Sequence, residues 1–272
     1  MAVSEIDIRA IDIEVLPSES DAMFSSPELD RFWRWYLGHC TSWPKTKIEY
    51  CRRFVDTCEK KLVHVTDTKR RRQILAGAAA ARSRLGSELT SVDDPVAVST
   101  LSQAVVEACT SLHPETAYNA LHALALYYQI QKDYDTAELL FIRSIPYAGY
   151  LGAQMVGLVF NRVGHIYHMR GDGEKAALLE QWQSINGPMP LTFLLKRAKT
   201  LSECNLVSVL EAESEIGGTR SCWHIGRAIA ACTLLGRETR SIDLCKDGLA
   251  IATSEGNDTW LRSFDQFLSG KR

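Results

Sequence analysis

The sequence lacks the short motifs by which large enzyme families are recognised. Its 272 residues contain no G-x-S-x-G, no G-x-x-x-x-G-K-[ST], no G-x-G-x-x-G and no H-E-x-x-H. Those motifs would have indicated a serine nucleophile, a phosphate-binding loop, a dinucleotide-binding site or a zinc site. We therefore predict no catalytic residue, no metal site and no cofactor, and we favour a binding protein over an enzyme.

Long apolar runs and export signals are missing as well. No window of 18 residues is apolar throughout, and the first twenty residues have no basic segment followed by an apolar one. The formal net charge is −2, so no strong field attracts nucleic acid or an anionic membrane. We expect a cytoplasmic protein that neither crosses a membrane nor lies on one.

The eight cysteines do not form a metal-binding or disulfide pattern. No C-x-x-C pair occurs, and the cysteines are spread over the chain at irregular intervals. Cys51 and Cys58 are seven residues apart, which places them on one face of a helix, as in an apolar core. We predict that all eight are reduced thiols.

Strand patterns are scarce, and helical patterns fill most of the chain. Apolar and polar residues alternate only near the start, between Ile6 and Val15. Elsewhere apolar residues recur at intervals of three and four, as on one face of a helix. The predicted helices are 27–38, 44–63, 67–86, 94–112, 115–131, 134–147, 152–170, 173–185, 190–202, 205–216, 221–235, 238–254 and 257–268.

Proline and glycine mark the expected ends of these helices. Ser26 precedes Pro27, which is the arrangement of a capping serine before proline at the first helical position. Gly86, Gly149 and Gly171 each follow a periodic segment and predict a helix end. No proline is expected to lie inside a helix.

Two segments share a spacing that resembles the tetratricopeptide repeat. The first contains Leu121-x2-Leu124-Ala125-x2-Tyr128 and then Ala137-x3-Phe141. The second contains Phe160-x2-Val163-Gly164-x2-Tyr167 and then Ala176 after a glycine-rich turn, and a degenerate third copy surrounds Gly236. In that family a small residue on each helix lets the paired helices approach closely. The resemblance therefore implies close packing of Ala125 on Ala137 and of Gly164 on Ala176.

The resemblance covers about residues 115–254 and implies an architecture for the chain. We predict an all-α fold of stacked antiparallel helical hairpins, a TPR-like α-solenoid, with an N-terminal helical cap. The expected divisions are an arm over 1–24, a helical region over 25–112 and a repeat region over 113–272. Residues 25–112 have no repeat signature, so they are either divergent hairpins of the same solenoid or a separate cap.

The resemblance also implies a binding surface. In tetratricopeptide-like proteins the first helices of successive repeats line a concave groove that holds a peptide. Transferred to this sequence, the groove positions are polar side chains that suit the gripping of a peptide backbone or a carboxylate. The candidate partner-binding residues are Asn119, His122, Leu126, Gln129, Asn161, Arg162, His165 and His168.

Three other features have two interpretations each. His165 and His168 could share a metal, but two further ligands would be required, so a polar pair facing the groove is favoured. The basic run over 60–72, with Arg82 and Arg84, is either a solvated face or a nucleic-acid site, and the solvated face is favoured. The aromatic cluster over 32–36 is either core or a contact surface, for another copy of the chain or for a partner.

We thus predict a non-catalytic protein- or peptide-binding scaffold, such as an adaptor, a chaperone or a regulatory subunit. Nucleic acid is not the expected partner, and a homo-oligomer stays open. One alternative is a ligand-sensing regulator whose basic helix contacts nucleic acid or a partner. Another is an enzyme with a divergent helical active site. An open, polar-lined groove would favour the scaffold, whereas an enclosed apolar pocket with converging titratable groups would favour the enzyme.

Overall fold

The computed structural model describes residues 26–39, 43–185, 189–216 and 221–270, and the elements in these ranges are all α-helices. Every helix predicted from the sequence corresponds to one of them. The helices are α1 (Pro27–Gly38), α2 (Pro44–Leu62), α3 (Thr68–Thr90), α4 (Ala97–Ser111), α5 (Pro114–Ile130), α6 (Tyr134–Leu151), α7 (Ala153–Met169), α8 (Gly173–Gln183), α9 (Leu191–Glu203), α10 (Val207–Ser214), α11 (Cys222–Leu234), α12 (Glu238–Glu255) and α13 (Asp258–Leu268).

The expected caps fix several helix ends. The Ser26 hydroxyl accepts a hydrogen bond from the backbone N–H of Leu29 at 3.1 Å, ahead of Pro27 at the first helical position. Gly171 and Gly256 follow α7 and α12 with φ of 79° and 64°, a left-handed conformation that glycine adopts without strain. The predicted arm over 1–24, with its strand-like pattern, lies outside the described residues.

Two predicted helix ends are wrong. Gly86 lies inside α3, where a Cβ would collide with Leu101 of α4. This glycine therefore allows α3 and α4 to pack closely and does not end the helix. Gly149 lies inside α6, which continues to Leu151, and Pro146 lies inside the same helix, so the expectation that no helix contains a proline is wrong as well. The end of α6 is set by Gly152, whose φ is 107° and whose N–H donates to the Ala148 carbonyl at 3.1 Å.

The chain divides into two compact units, Met1–Leu140 and Phe141–Arg272. In the first unit α3 is the central helix, and it packs against α1, α2, α4 and α5. The run Ala78–Ala81 is almost completely buried, because small side chains on all sides let the neighbouring helices approach. Gly77 adds to this approach, since a Cβ there would lie 2.5 Å from the Glu28 Cβ.

In the second unit α11 is the central helix, and it packs against α9, α10 and α12. Glycines again sit where large side chains approach. A Cβ on Gly226 would lie 2.7 Å from the Trp260 ring, and one on Gly248 would lie 2.8 Å from the Phe264 ring. Trp260 and Phe264 stack with their ring centroids 5.2 Å apart, so the aromatic side chains of α13 cover this part of the core.

The predicted close approach at Gly164 is wrong. Helix α7 does pack against α8, but a Cβ on Gly164 would meet no heavy atom within 4 Å among the described residues beyond its own helix. Ala125, Ala137 and Ala176 are fully buried, and the packing of Ala125 on Ala137 stays a prediction.

The seven cysteines within the described ranges are all thiols, and Cys40 lies outside those ranges. Burial raises the pKa of Cys51 and of Cys58 to about 12, so neither thiol ionises near neutral pH. Among the helices of the described ranges, none has the length and apolarity that crossing a membrane requires.

Candidate binding cleft

A cleft of about 560 Å³ lies within the second unit, between α7, α8 and α11. Its wall combines side-chain amides with apolar side chains, and its floor contains an imidazole and a guanidinium. The lining residues are Gln154, Met155, Gly157, Leu158 and Asn161 of α7, Gln183 of α8, and Trp223, His224 and Arg227 of α11.

One face of α7 forms a wall of the cleft and continues beyond it. Gln154, Leu158 and Asn161 follow one another at intervals of four and three, so they share a face of the helix. His165 and His168 continue that spacing by four and three, and both side chains are exposed. The His168 Nε2 lies 3.5 Å from the Glu180 carboxylate of α8. The predicted residues Asn161, His165 and His168 therefore lie along a single stripe.

Arg227 forms a buried ion pair beneath the cleft. Its guanidinium Nη2 lies 2.9 Å from the Glu213 carboxylate, and both side chains are almost completely inaccessible to solvent. The Nη1 group of Arg227 donates to the Trp182 carbonyl at 3.1 Å. The indole N–H of Trp182 in turn donates to Glu213 at 2.5 Å. Helices α8, α10 and α11 are thus joined by one polar network.

Three aromatic rings surround the same guanidinium. The Cζ atom of Arg227 lies 5.4 Å from the ring centroid of Phe160, 5.7 Å from that of Trp182 and 5.5 Å from that of Trp223. A cation at this distance from an aromatic face is attracted by the ring quadrupole. The rings therefore compensate part of the hydration that Arg227 loses on burial.

Burial and pairing act in opposite directions on the two charges. Burial raises the pKa of Glu213, while Arg227 and the Trp182 indole lower it. Burial lowers the pKa of Arg227, and Glu213 raises it. An arginine starts from a pKa far above neutrality, and the 2.9 Å contact between Arg227 and Glu213 favours the charged form of both groups.

His224 is the other polar group of the floor. Its side chain is 1% exposed, and its ring stacks on Trp223 with centroids 3.7 Å apart. Neither ring nitrogen makes a hydrogen bond within the described part of the chain. Burial and, to a smaller extent, the charge of Arg227 together lower the pKa of His224 to about 3, so the imidazole is neutral near pH 7.

The eight predicted groove residues lie on two helices in different units. Asn161, Arg162, His165 and His168 are on α7, and Asn161 lines the cleft directly. Arg162 is half-buried on the adjacent side of the helix. Asn119, His122, Leu126 and Gln129 are on α5 in the first unit, and all four are half-buried. The Asn119 carbonyl accepts a hydrogen bond from Ser83, and the His122 ring stacks on Tyr118.

Sequence reasoning missed the floor of the cleft. Trp223, His224 and Arg227 lie in a helix whose other residues are mostly small and apolar. An arginine flanked by Gly226 and Ala228 within such a segment was the available signal, because an arginine is almost never fully buried without a partner. Glu213 could not be assigned as that partner, since it is on another helix.

Three cations of the basic run pair with carboxylates of the first unit. Lys61 and Arg70 lie 3.0 and 2.6 Å from the buried Glu28. Arg82 pairs with Glu107 at 2.9 Å and also with Glu59. These contacts form a structural ion-pair network, and the choice of a solvated face over a nucleic-acid site stays a prediction.

The aromatic cluster of α1 packs within the chain. Phe32 is fully buried and contacts Trp33, Tyr36, Tyr50 and Phe54 with centroid distances between 5.2 and 6.2 Å. Trp35 stacks on Tyr50, whereas Trp43 is 83% exposed.

The described residues contain no group of three or more His, Cys, Asp and Glu side chains placed to hold a metal ion. Comparison of the chain with models of protein families, with curated proteins and with solved structures found no match.

Proposed function

We propose that the second unit binds an extended peptide segment of a partner protein in the cleft between α7, α8 and α11. The observation that supports this most is the composition of the wall. Gln154, Asn161 and Gln183 each present a side-chain amide, which can both donate to a peptide carbonyl and accept from a peptide N–H. Met155, Leu158 and Trp223 supply apolar surface for the side chains of the segment.

The stripe along α7 extends this site beyond the cleft. A peptide lying on Asn161 would next meet His165 and His168, which the repeat resemblance assigns to the groove. The exposed position of both rings on one rigid helix supports this path. The four predicted residues of α5 stay a prediction for the first unit.

The proposal includes a tetratricopeptide-like stack of hairpins. In the second unit α7 packs on α8, α9 on α10, and α11 on α12, so consecutive helices pair as hairpins do. Helix α9 also packs on α11, as the first helices of neighbouring hairpins do in such a stack. These contacts support the repeat interpretation. The protein would then act as a non-catalytic scaffold or adaptor.

A nucleic-acid partner is not part of this proposal. Three cations of the basic run, Lys61, Arg70 and Arg82, are already matched by Glu28, Glu59 and Glu107. Charge that is neutralised within the protein contributes little to counterion release on nucleic-acid binding.

The test is selection of random peptides displayed on phage against the whole protein, followed by affinity measurement with synthetic copies. The double variant Gln154→Ala plus Asn161→Ala should weaken binding about tenfold, since two hydrogen bonds of about 0.5–1.5 kcal/mol are removed. Gln266→Ala, an exposed amide on α13 away from the cleft, should leave the affinity unchanged. Equal affinities for all three proteins, or no enriched peptide, would refute the proposal.

A further inference from the structure

At the floor of the cleft, three buried polar atoms have neither a hydrogen bond nor an ion pair with any residue that the structure describes. These are the Nδ1 and Nε2 atoms of His224 and the Nε atom of Arg227, which make no hydrogen bond with any described residue. Buried polar groups in folded proteins are almost always hydrogen-bonded, and an exception calls for an explanation. A ligand group that reaches the floor would supply the missing partners.

The three atoms belong to two side chains of the same helix that both line the cleft. His224 and Arg227 are three residues apart on α11, a spacing that places side chains on the same face of a helix. Both residues line the cleft. One chemical group could therefore contact both side chains.

The charges at the floor select against ionised groups. Arg227 is already matched by Glu213 at 2.9 Å, and the His224 imidazole is neutral, so the floor has no net charge. A ligand carboxylate would add an unmatched negative charge in a buried site, and an ammonium would add a second positive charge beside Arg227. Either ion would lose hydration without gaining a counter-charge.

The hydrogen-bonding pattern selects a group that both donates and accepts. The Nε–H of Arg227 is a donor, and a neutral imidazole has one donor and one acceptor nitrogen in either tautomer. A carboxamide presents a carbonyl oxygen beside an N–H. Its oxygen can accept from Arg227 while its N–H donates to the acceptor nitrogen of His224.

We propose that the floor formed by His224 and Arg227 binds an uncharged amide group of the ligand, either an asparagine or glutamine side chain or a peptide unit. The inference rests on the proposed function, because it assigns a chemistry to the deepest point of the peptide cleft. The wall amides hold the backbone of the segment. The floor recognises the one amide group of the segment that enters it.

The test is an NMR titration of the full-length protein with three capped amino acids, observed at the indole N–H of Trp223. The probes are N-acetyl-glutamine N-methylamide, its glutamate analogue, and its alanine analogue. The glutamine probe should perturb this resonance with an affinity at least tenfold higher than that of the glutamate probe at pH 7.5. Equal or tighter binding of the glutamate probe, or no perturbation by any probe up to its solubility limit, would overturn the proposal.

The alanine probe distinguishes the two sources of the amide. If it binds as well as the glutamine probe, the peptide unit enters the floor. If it binds at least several-fold more weakly, the side-chain carboxamide does. Both results support an amide site, provided that the glutamate probe is the weaker ligand.

Two variants separate this chemistry from a general loss of structure. His224→Phe keeps a ring on Trp223 but removes both nitrogens, and it should reduce the preference for glutamine over glutamate to less than threefold. His64→Phe makes the same change at an exposed loop position and should keep the full preference. A His224→Phe protein that is folded and retains the tenfold preference would also overturn the inference.

A failure of this inference can be distinguished from a failure of the proposed function. If phage-selected peptides bind in the cleft while the glutamine and glutamate probes bind equally, peptide binding stands and amide recognition fails. If the selected peptides are insensitive to Gln154→Ala plus Asn161→Ala, the peptide cleft itself fails.

Discussion

The Arg227 guanidinium lies 2.9 Å from the Glu213 carboxylate in the interior of the second unit, with neither side chain open to solvent. The pair connects α11 to α10, and Trp182 connects both to α8. The interior of the second unit therefore contains two charged side chains in a space that apolar side chains could fill without any loss of hydration. Their position beneath a cleft indicates that they organise its floor.

Breaking this pair from one side should be strongly destabilising. Glu213→Leu leaves a buried guanidinium without its counter-charge and should reduce the free energy of unfolding by about 3–5 kcal/mol, measured by urea denaturation. The double variant Glu213→Leu plus Arg227→Met removes both charges and should recover most of that loss. A double variant as unstable as the single one would show that packing, and not charge pairing, dominates here.

The free energy of unfolding should decrease as the pH is lowered, because of His224. Its pKa is about 3 in the folded protein, against about 6.5 in an unfolded chain, so below pH 6.5 only the unfolded state takes up the proton. The loss should be about 2 kcal/mol at pH 5, relative to pH 7.5, and should grow as the pH falls towards 3.

The comparison that isolates this effect is wild type against His224→Phe, with urea unfolding measured between pH 7.5 and 4.5. Burial raises the pKa of Glu107 and Glu213, which acts in the opposite direction, but both groups are present in both proteins. The difference between the two stability curves should therefore show the His224 contribution alone. Parallel curves would contradict a buried neutral imidazole.

Two glycines of the second unit should respond oppositely to alanine. Gly226→Ala places a Cβ 2.7 Å from the Trp260 ring and 3.0 Å from Leu194, so it should cost about 1–3 kcal/mol of stability. Gly164→Ala adds a methyl group where no atom lies within 4 Å in the described residues beyond its own helix. It should raise stability by about 0.5–1 kcal/mol. Thermal denaturation of both variants measures the contrast, and a shared sign would contradict the packing described for one of them.

Thiol chemistry should follow burial. Denatured, non-reduced protein should give eight reactive thiols with a chromogenic disulfide reagent. In the native protein Cys109 and Cys204 are partly accessible and should react faster than Cys51 and Cys58, which are buried with a pKa raised to about 12. A denatured count of six or fewer would show a disulfide. Rapid native reaction of Cys51 or Cys58 would contradict the core of the first unit.

The helices could be predicted from the sequence because their signals are local. The Ser26 cap and the apolar intervals depend on residues within a few positions of each other. The errors at Gly86 and Gly164 have the opposite origin. A glycine in a helical pattern can end the helix, allow a close neighbour or face open space. The outcome depends on the position of another helix, such as the helix that contains Leu101.

The same limit applies to the candidate site. Asn161, His165 and His168 could be selected because they share a face of one helix. The floor could not, since the pairing of Arg227 with Glu213 joins residues of separate helices. The neutrality of His224 depends on the burial of its side chain, which cannot be predicted from the neighbouring residues of the sequence.

Site-specific photo-crosslinking tests the central claim most directly. A benzophenone side chain is introduced at Leu158, which lines the cleft and is 38% exposed, or at Ile242, which is 42% exposed on α12 outside the cleft. A phage-selected peptide should become attached at position 158 and not at position 242. Equal attachment at both positions, or attachment at 242 alone, would contradict peptide binding in the cleft between α7, α8 and α11.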